Sequence, residues 1–129
     1  MVGIVVVSHS QKLAEGVVDC AKMMASEDAP IVAAGGMDDG GMGTSFDKIY
    51  RAVGTVYSDD GVAILMDMGS AVMTAEMVIE AMKGRRVMLL DGPVAEGAVV
   101  AAMEARLGSP LELIAQRVEE SRLARKLEN

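Results

Sequence analysis

The sequence is short of the residues on which much protein chemistry is built. It has one cysteine (Cys20), one histidine (His9) and no tryptophan. A lone Cys excludes a disulfide framework within the chain. One Cys with one His gives no ligand spacing for zinc or an iron–sulfur cluster, so no metal is expected. One Phe and two Tyr leave little with which to stack a flavin or a base. Cations are also scarce: 12 Lys and Arg face 19 Asp and Glu, for a net charge of −7. No basic stripe can neutralise the phosphates of a nucleic acid or meet an anionic membrane surface. No apolar run approaches the ~20 residues of a membrane-spanning helix. The start lacks the basic segment and long apolar stretch of a secretory signal. The expected location is therefore cytoplasmic, with no nucleic acid or membrane as partner. An acidic chain can still dock a basic patch on another protein.

What is abundant is apolar. Hydrophobic residues make up 51 % of 129 residues, 12 of them Met, enough for one core and too many for disorder. A single domain is expected over residues 1–129. Four continuous apolar runs, Ile4–Val7, Ile31–Ala34, Val62–Met66 and Val87–Leu90, read as strands buried on both faces of a parallel sheet. A helical pattern follows each: Gln11–Ala25 with Leu13, Val17, Ala21 and Met24 on one face, Ser45–Tyr57, Ser70–Met82, and a small-residue helix opening at Gly92-Pro93 and running to Leu107. Ser109-Pro110-Leu111-Glu112 fits a capping box for a last helix, whose charged end, Arg122–Asn129, is expected to fray. The fold class is α/β: an open, mostly parallel four-stranded sheet, order 2-1-3-4, with helices on both faces.

In such sheets ligands bind beyond the carboxyl ends of the strands, where strand order reverses. The residues that follow the strands are Ser8-His9-Ser10, the Gly-rich stretch Gly35–Ser45, Asp67-Met68-Gly69-Ser70 and Asp91-Gly92-Pro93. His9 at a helix start can serve as a nucleophile near neutral pH, because a free imidazole titrates near ~6.5. A phosphoryl group on it would sit at the positive end of that helix; a plain surface histidine is the alternative. Asp67, if the first and third strands are neighbours, can fix the tautomer of His9, or can simply cap a helix. Ser8, Ser10 and Ser70 can donate to phosphoryl oxygens or act as N-caps. The Gly-rich loop lacks the Lys of a nucleotide P-loop; it either lends backbone N–H groups to an anion or is a surface loop. Asp38 and Asp39 are expected to face solvent or a partner, Thr44 or Ser45 to cap the second helix, Asp91 to serve a turn, and Cys20 to pack near the buried helix face.

The segments VGIVVVSHSQ (Val2–Gln11), AAGGMDDGGMGTS (Ala33–Ser45) and ILMDMGSA (Ile64–Ala71) together resemble the DhaM family, the phosphotransferase subunits of phosphoenolpyruvate-dependent dihydroxyacetone kinase. Its relevant domain is similar to the EIIA domain of the mannose-type sugar phosphotransferase system. The resemblance implies a phosphohistidine at Nε2 of His9, supported by Asp67. It implies a pocket bordered by Ser8, Ser10, Gly36, Met37, Gly69 and Ser70. It further implies a histidine phosphocarrier protein as donor, ADP held on a DhaL subunit as acceptor, and dihydroxyacetone held by DhaK. No cofactor of its own is implied. A homodimer is expected, although the swapped fifth strand that mannose-type domains often carry is not legible. Donors are expected to act in trans. Met37, Met42 and Met68 are expected to form an exposed rim around His9.

Two other readings compete. A mannose-type EIIA component of a sugar transport system would keep the chemistry and change the pathway. A flavodoxin- or receiver-like binding module would need flavin-flanking aromatics or an acidic cluster after the first strand, where this chain has Ser8-His9-Ser10.

Overall fold

The four apolar runs are strands in a computed structural model that describes residues 1–128. Strands β1 (Gly3–Ser8), β2 (Ile31–Gly35), β3 (Val62–Met66) and β4 (Val87–Leu89) alternate with helices α1 (Gln11–Ala25), α2 (Phe46–Val56), α3 (Gly69–Ala81) and α4 (Val94–Arg106); α5 (Leu111–Ser121) follows. The sheet is parallel throughout, in the order β2-β1-β3-β4. β1 lies between β2 and β3, with Val7 opposite Ala34 on one side and Met66 on the other. The chain leaves β1 towards β2 and later returns to β1's other side with β3. The crevice between the ends of β1 and β3 is therefore the point where strand order reverses.

Alternate residues of the strands feed two apolar layers. Ile4, Val6, Ala63 and Leu65 pack with residues of α1, α4 and α5, whereas Val5, Val7, Val62 and Ile64 pack with residues of α2 and α3. This is why the strand sequences are continuously apolar rather than alternating. Each fully buried aliphatic side chain contributes roughly 1.5–3 kcal/mol of transfer free energy, which fixes the strand ends and the loops that grow from them. Gly97, Ala98, Ala101, Ala102 and Ala105 form the buried stripe of α4. A Cβ on Gly97 would come to 3.0 Å from the Leu65 side chain, so small residues allow this helix to lie close to the sheet.

Local details depart from the sequence reading. The buried face of α1 is Ala14, Val17, Val18 and Ala21; Leu13 and Met24 are exposed. The face is turned because small residues let α1 approach its neighbours closely. Cys20 falls outside that stripe and is exposed, not packed. Pro93 is the N-cap of α4 rather than its first helical residue. No capping box forms at α5: its N-cap is Pro110, and the Ser109 hydroxyl donates to Glu104 Oε1 at 2.7 Å. The segment after Ser121 leaves the helix instead of extending it. It is tied down by Arg122, which bonds the Asp91 carbonyl at 2.7 Å and pairs with its carboxylate at 2.9 Å, and by Lys126, paired with Glu96 at 2.7 Å. Asp91 thus holds this segment as well as its turn. Asn129, the last residue of the expected fraying end, lies outside the described residues.

Candidate functional site

His9 follows the last residue of β1 and precedes Ser10, the N-cap of α1, whose Oγ accepts from Leu13 N–H at 3.2 Å. The extended backbone of Ser10 (φ −114°, ψ 125°) turns the chain from strand to helix within two residues. Asp67 follows β3, with Met68 as N-cap of α3. Since β1 and β3 are in register, the two side chains meet. His9 Nδ1 lies 3.1 Å from Asp67 Oδ1, and Ser70 Oγ lies 2.5 Å from His9 Nε2.

The tautomer follows from the partners. An ionised carboxylate only accepts, so Nδ1 carries the hydrogen and donates to Asp67. The lone pair is left on Nε2, where the Ser70 hydroxyl donates. The Asp67 side chain is 6 % exposed and that of His9 19 %. The carboxylate is sheltered while the ring remains reachable from solvent.

Asp67 is held by more than the imidazole. Its Oδ2 accepts from the backbone N–H of His9 at 3.0 Å and from Ser8 Oγ at 2.9 Å; its Oδ1 also accepts from Met68 N–H at 2.8 Å. Burial by itself pushes this carboxyl up; donation from His9 N–H, Ser8, the imidazole and Met68 outweighs it and holds the group below the ordinary carboxylate range. The result is a fixed negative charge behind Nδ1.

Ser8 is fully buried. Its hydroxyl donates to Asp67 and accepts from Ser10 N–H at 3.0 Å, so its hydrogen is directed at the carboxylate. Gly36 N–H donates to the Ser8 carbonyl at 3.1 Å, with φ +73°, a conformation that favours glycine. A Cβ on Gly35 would lie 2.6 Å from the Ser10 carbonyl oxygen, so only glycine lets β2 end against the start of α1. Met37 folds over Gly43, where a Cβ would meet its Sδ at 2.8 Å. Among the described residues, side-chain hydrogen bonds to the imidazole come from Asp67 and Ser70; Gly36 and Met37 shape the loop beside it. Gly69 and Ser70 open α3, and their N–H groups belong to the first helical turn, which has no intrahelical acceptor. The N–H groups of Gln11 and Lys12 are in the same position in α1. Ser70 places the N-terminus of α3 beside Nε2, and α1 begins two residues after His9; a helix N-terminus favours an anion.

Other expected positions resolve as follows. Ser45, not Thr44, caps α2, accepting from Lys48 N–H at 3.2 Å. Asp38 and Asp39 are exposed, and Met37, Met42 and Met68 are exposed as well. Two supports had no reading in the sequence. Gly43 N–H donates to the His9 carbonyl at 2.8 Å, and Thr44 shares a 2.8 Å hydrogen bond with Thr74 of α3. The glycine cluster marked the loop, but not which glycine reaches His9. A cleft of about 640 Å³ lined by Asp91, Arg122 and Lys126 is built by the terminal segment and contains none of these groups. No group of three or more His, Cys, Asp and Glu able to hold a metal ion occurs among the described residues, and no helix is long and apolar enough to cross a membrane.

The chain is similar to known proteins over most of its length. Residues 3–115 match the family described as PTS system fructose IIA component. The phosphoryl donor subunit DhaM of PEP-dependent dihydroxyacetone kinase 1 from Listeria innocua is 37 % identical over 117 residues, covering 91 % of this chain and 92 % of the relative. The corresponding DhaM subunit of Escherichia coli K12 is 36 % identical over 120 residues, covering 88 % of this chain; the matched region is 25 % of that longer protein. Among solved structures, a protein of unknown function superposes with a TM-score of 0.81 at 28 % identity, covering 92 % of this chain and 93 % of the other.

Proposed function

Because the chain belongs to the family of PTS system fructose IIA components and is of the DhaM type, we propose that it carries a phosphoryl group on His9 Nε2 as the phosphoryl donor subunit of a PEP-dependent dihydroxyacetone kinase. The observation that carries this reading is the 3.1 Å contact between His9 Nδ1 and Asp67 Oδ1. It keeps the proton on one nitrogen and the lone pair on the other, at the carboxyl ends of β1 and β3 where a partner can approach.

In the loading step the Nε2 lone pair attacks the phosphorus of a phosphohistidine on a histidine phosphocarrier protein. The donor's P–N bond breaks as the new P–Nε2 bond forms, and the donor's imidazole leaves with the electron pair. The Nδ1 proton stays in place, and the positive charge that the ring gains faces the Asp67 carboxylate. The Ser70 hydroxyl turns from Nε2 to a phosphoryl oxygen, joined by the free N–H groups of the α1 and α3 starts. In the unloading step a terminal phosphate oxygen of ADP, held by a DhaL subunit, attacks the phosphorus and releases neutral His9. The ATP so formed is used on dihydroxyacetone held by DhaK. The subunit acts as a carrier in a phosphotransferase, with phosphohistidine as its only intermediate and no cofactor or metal of its own. It works in the cytoplasm, as a homodimer.

The test is a chase. Protein loaded with labelled phosphate from phosphoenolpyruvate, enzyme I and the histidine phosphocarrier protein is mixed with ADP-loaded DhaL, DhaK and dihydroxyacetone. Label in dihydroxyacetone phosphate supports the proposal. Label retained on the protein, and moved instead to a mannose-type EIIB component, would assign the chain to sugar transport.

A further inference from the structure

Few aromatic residues are available to this chain, and two of the three sit together, Phe46 half-buried against the core and Tyr50 outside it. Phe46 and Tyr50, one turn apart on α2, stack with centroids 5.8 Å apart; Tyr50 is exposed. Beside Phe46, the outer side of α3 presents Met73 (69 % exposed) and Met77 (61 %). Phe46, Met73 and Met77, with Glu76, Glu80 and Ala81, line an open and largely apolar groove, which Tyr50 extends by its stacking on Phe46. Adjacent large exposed apolar groups of this kind mark interaction surfaces more often than isolated ones do, and Met and aromatic residues are enriched in interface cores.

The position of the groove identifies its occupant. Ser70, which touches His9 Nε2, belongs to the same helix. Seven residues of helix turn through nearly two full circles, so Met77 lies almost directly below Ser70, about 10 Å along the axis, with Met73 between them. A specific protein interface covers about 800 Å² on each side, a patch of roughly 16 Å radius. A protein that delivers a phosphoryl group to Nε2 must centre near His9, and a footprint of that size reaches Met73 and Met77. The charged side chains that line the groove itself are acidic, Glu76 exposed and Glu80 paired with Lys83 at 3.1 Å, and Asp47 beside Phe46 is exposed as well. A second copy of this chain would set like charges against each other, whereas a basic partner would find complementary ones.

We propose that the strip of Phe46, Tyr50, Met73 and Met77 is the docking surface for the protein that loads His9, a partner presenting an apolar anchor ringed by basic side chains. This rests on the reading of His9 as phosphoryl acceptor. The strip supplies binding, not chemistry: it holds the donor while Nε2 and the phosphorus align.

The experiment compares a protein donor with a small one. The double variant Met73→Ala, Met77→Ala alters only exposed side chains, and an unchanged melting temperature checks its fold. Loading by phosphorylated histidine phosphocarrier protein is expected to show a KM raised about tenfold or more with kcat little changed. Loading by phosphoramidate, which needs no docking surface, is expected to match the unaltered protein. Glu76→Lys is expected to raise KM at low salt and to lose that effect at high salt. A KM unchanged in both variants would overturn the proposal. So would unchanged loading combined with a fall from dimer to monomer in sedimentation of the double variant, which would give the strip to a second copy. Failure of the unaltered protein to take label from either donor would instead overturn the His9 reading, and the proposal with it.

Discussion

Ser8 and Asp67, 59 residues apart in sequence, are joined by a 2.9 Å hydrogen bond from a fully buried hydroxyl to Oδ2. The bond ties the end of β1 to the end of β3 behind His9. It leaves the other carboxylate oxygen aimed at Nδ1. The charge that orients the imidazole is thereby fixed from behind as well as used from the front.

Replacing that hydroxyl tests the arrangement. Ser8→Ala strips Asp67 Oδ2 of one donor and Ser10 N–H of its acceptor in a buried place. Stability is expected to fall by about 1–3 kcal/mol, measured by urea unfolding. Ser8→Thr, which keeps the hydroxyl, should lose less.

Asp67→Asn preserves size but removes the fixed charge behind Nδ1. The imidazole loses both its tautomer preference and the stabilisation of its developing positive charge. The rate of His9 phosphorylation is expected to drop by about 10²-fold or more, read by single-turnover loading from the phosphocarrier protein.

The same carboxyl sets a pH dependence. Its folded-state value is depressed, so in the unfolded chain it takes up a proton at a higher pH, near ~3.9. Its contribution to stability is complete above that value and is lost as pH falls through the lower, folded one. Denaturation midpoints of the native protein should therefore decline below about pH 4. Asp67→Asn should show a shallower decline over that window.

Gly35→Ala places a methyl group 2.6 Å from the Ser10 carbonyl oxygen and 2.8 Å from the Ala14 Cβ. Neither can step aside without moving α1. A loss of about 1–3 kcal/mol is expected, with slower loading of His9 because Ser10 follows it directly.

The strands and the order of the sheet were legible because continuous apolar runs followed by helical periodicity leave few alternatives for a parallel sheet. That order brought His9 and Asp67 to one crevice before any distance was known. The faces of the helices were less legible. In α1 the side chains that are buried are small, Ala14 and Ala21 among them, while Leu13 lies outside, so ranking positions by size and hydrophobicity misplaced the contact and Cys20 with it. The role of Ser8 could not be read from its type, because a serine before a helix caps, binds or packs according to burial alone. The fold-back after Ser121 depends on pairs such as Arg122 with Asp91, whose separation in sequence carries no periodic signal. The anchoring of Gly43 to the His9 carbonyl depends on the path of the loop, and a cluster of glycines does not specify a path.

The central claim is that Nε2 of His9 bears the phosphoryl group. It is tested most directly by loading ¹⁵N-histidine-labelled protein with phosphoenolpyruvate, enzyme I and the phosphocarrier protein, and recording the imidazole nitrogen shifts at neutral pH. The account predicts phosphorus coupling at Nε2, a protonated Nδ1, and no phosphate on His9→Ala. Phosphate on Nδ1, or undiminished labelling of His9→Ala, would contradict it.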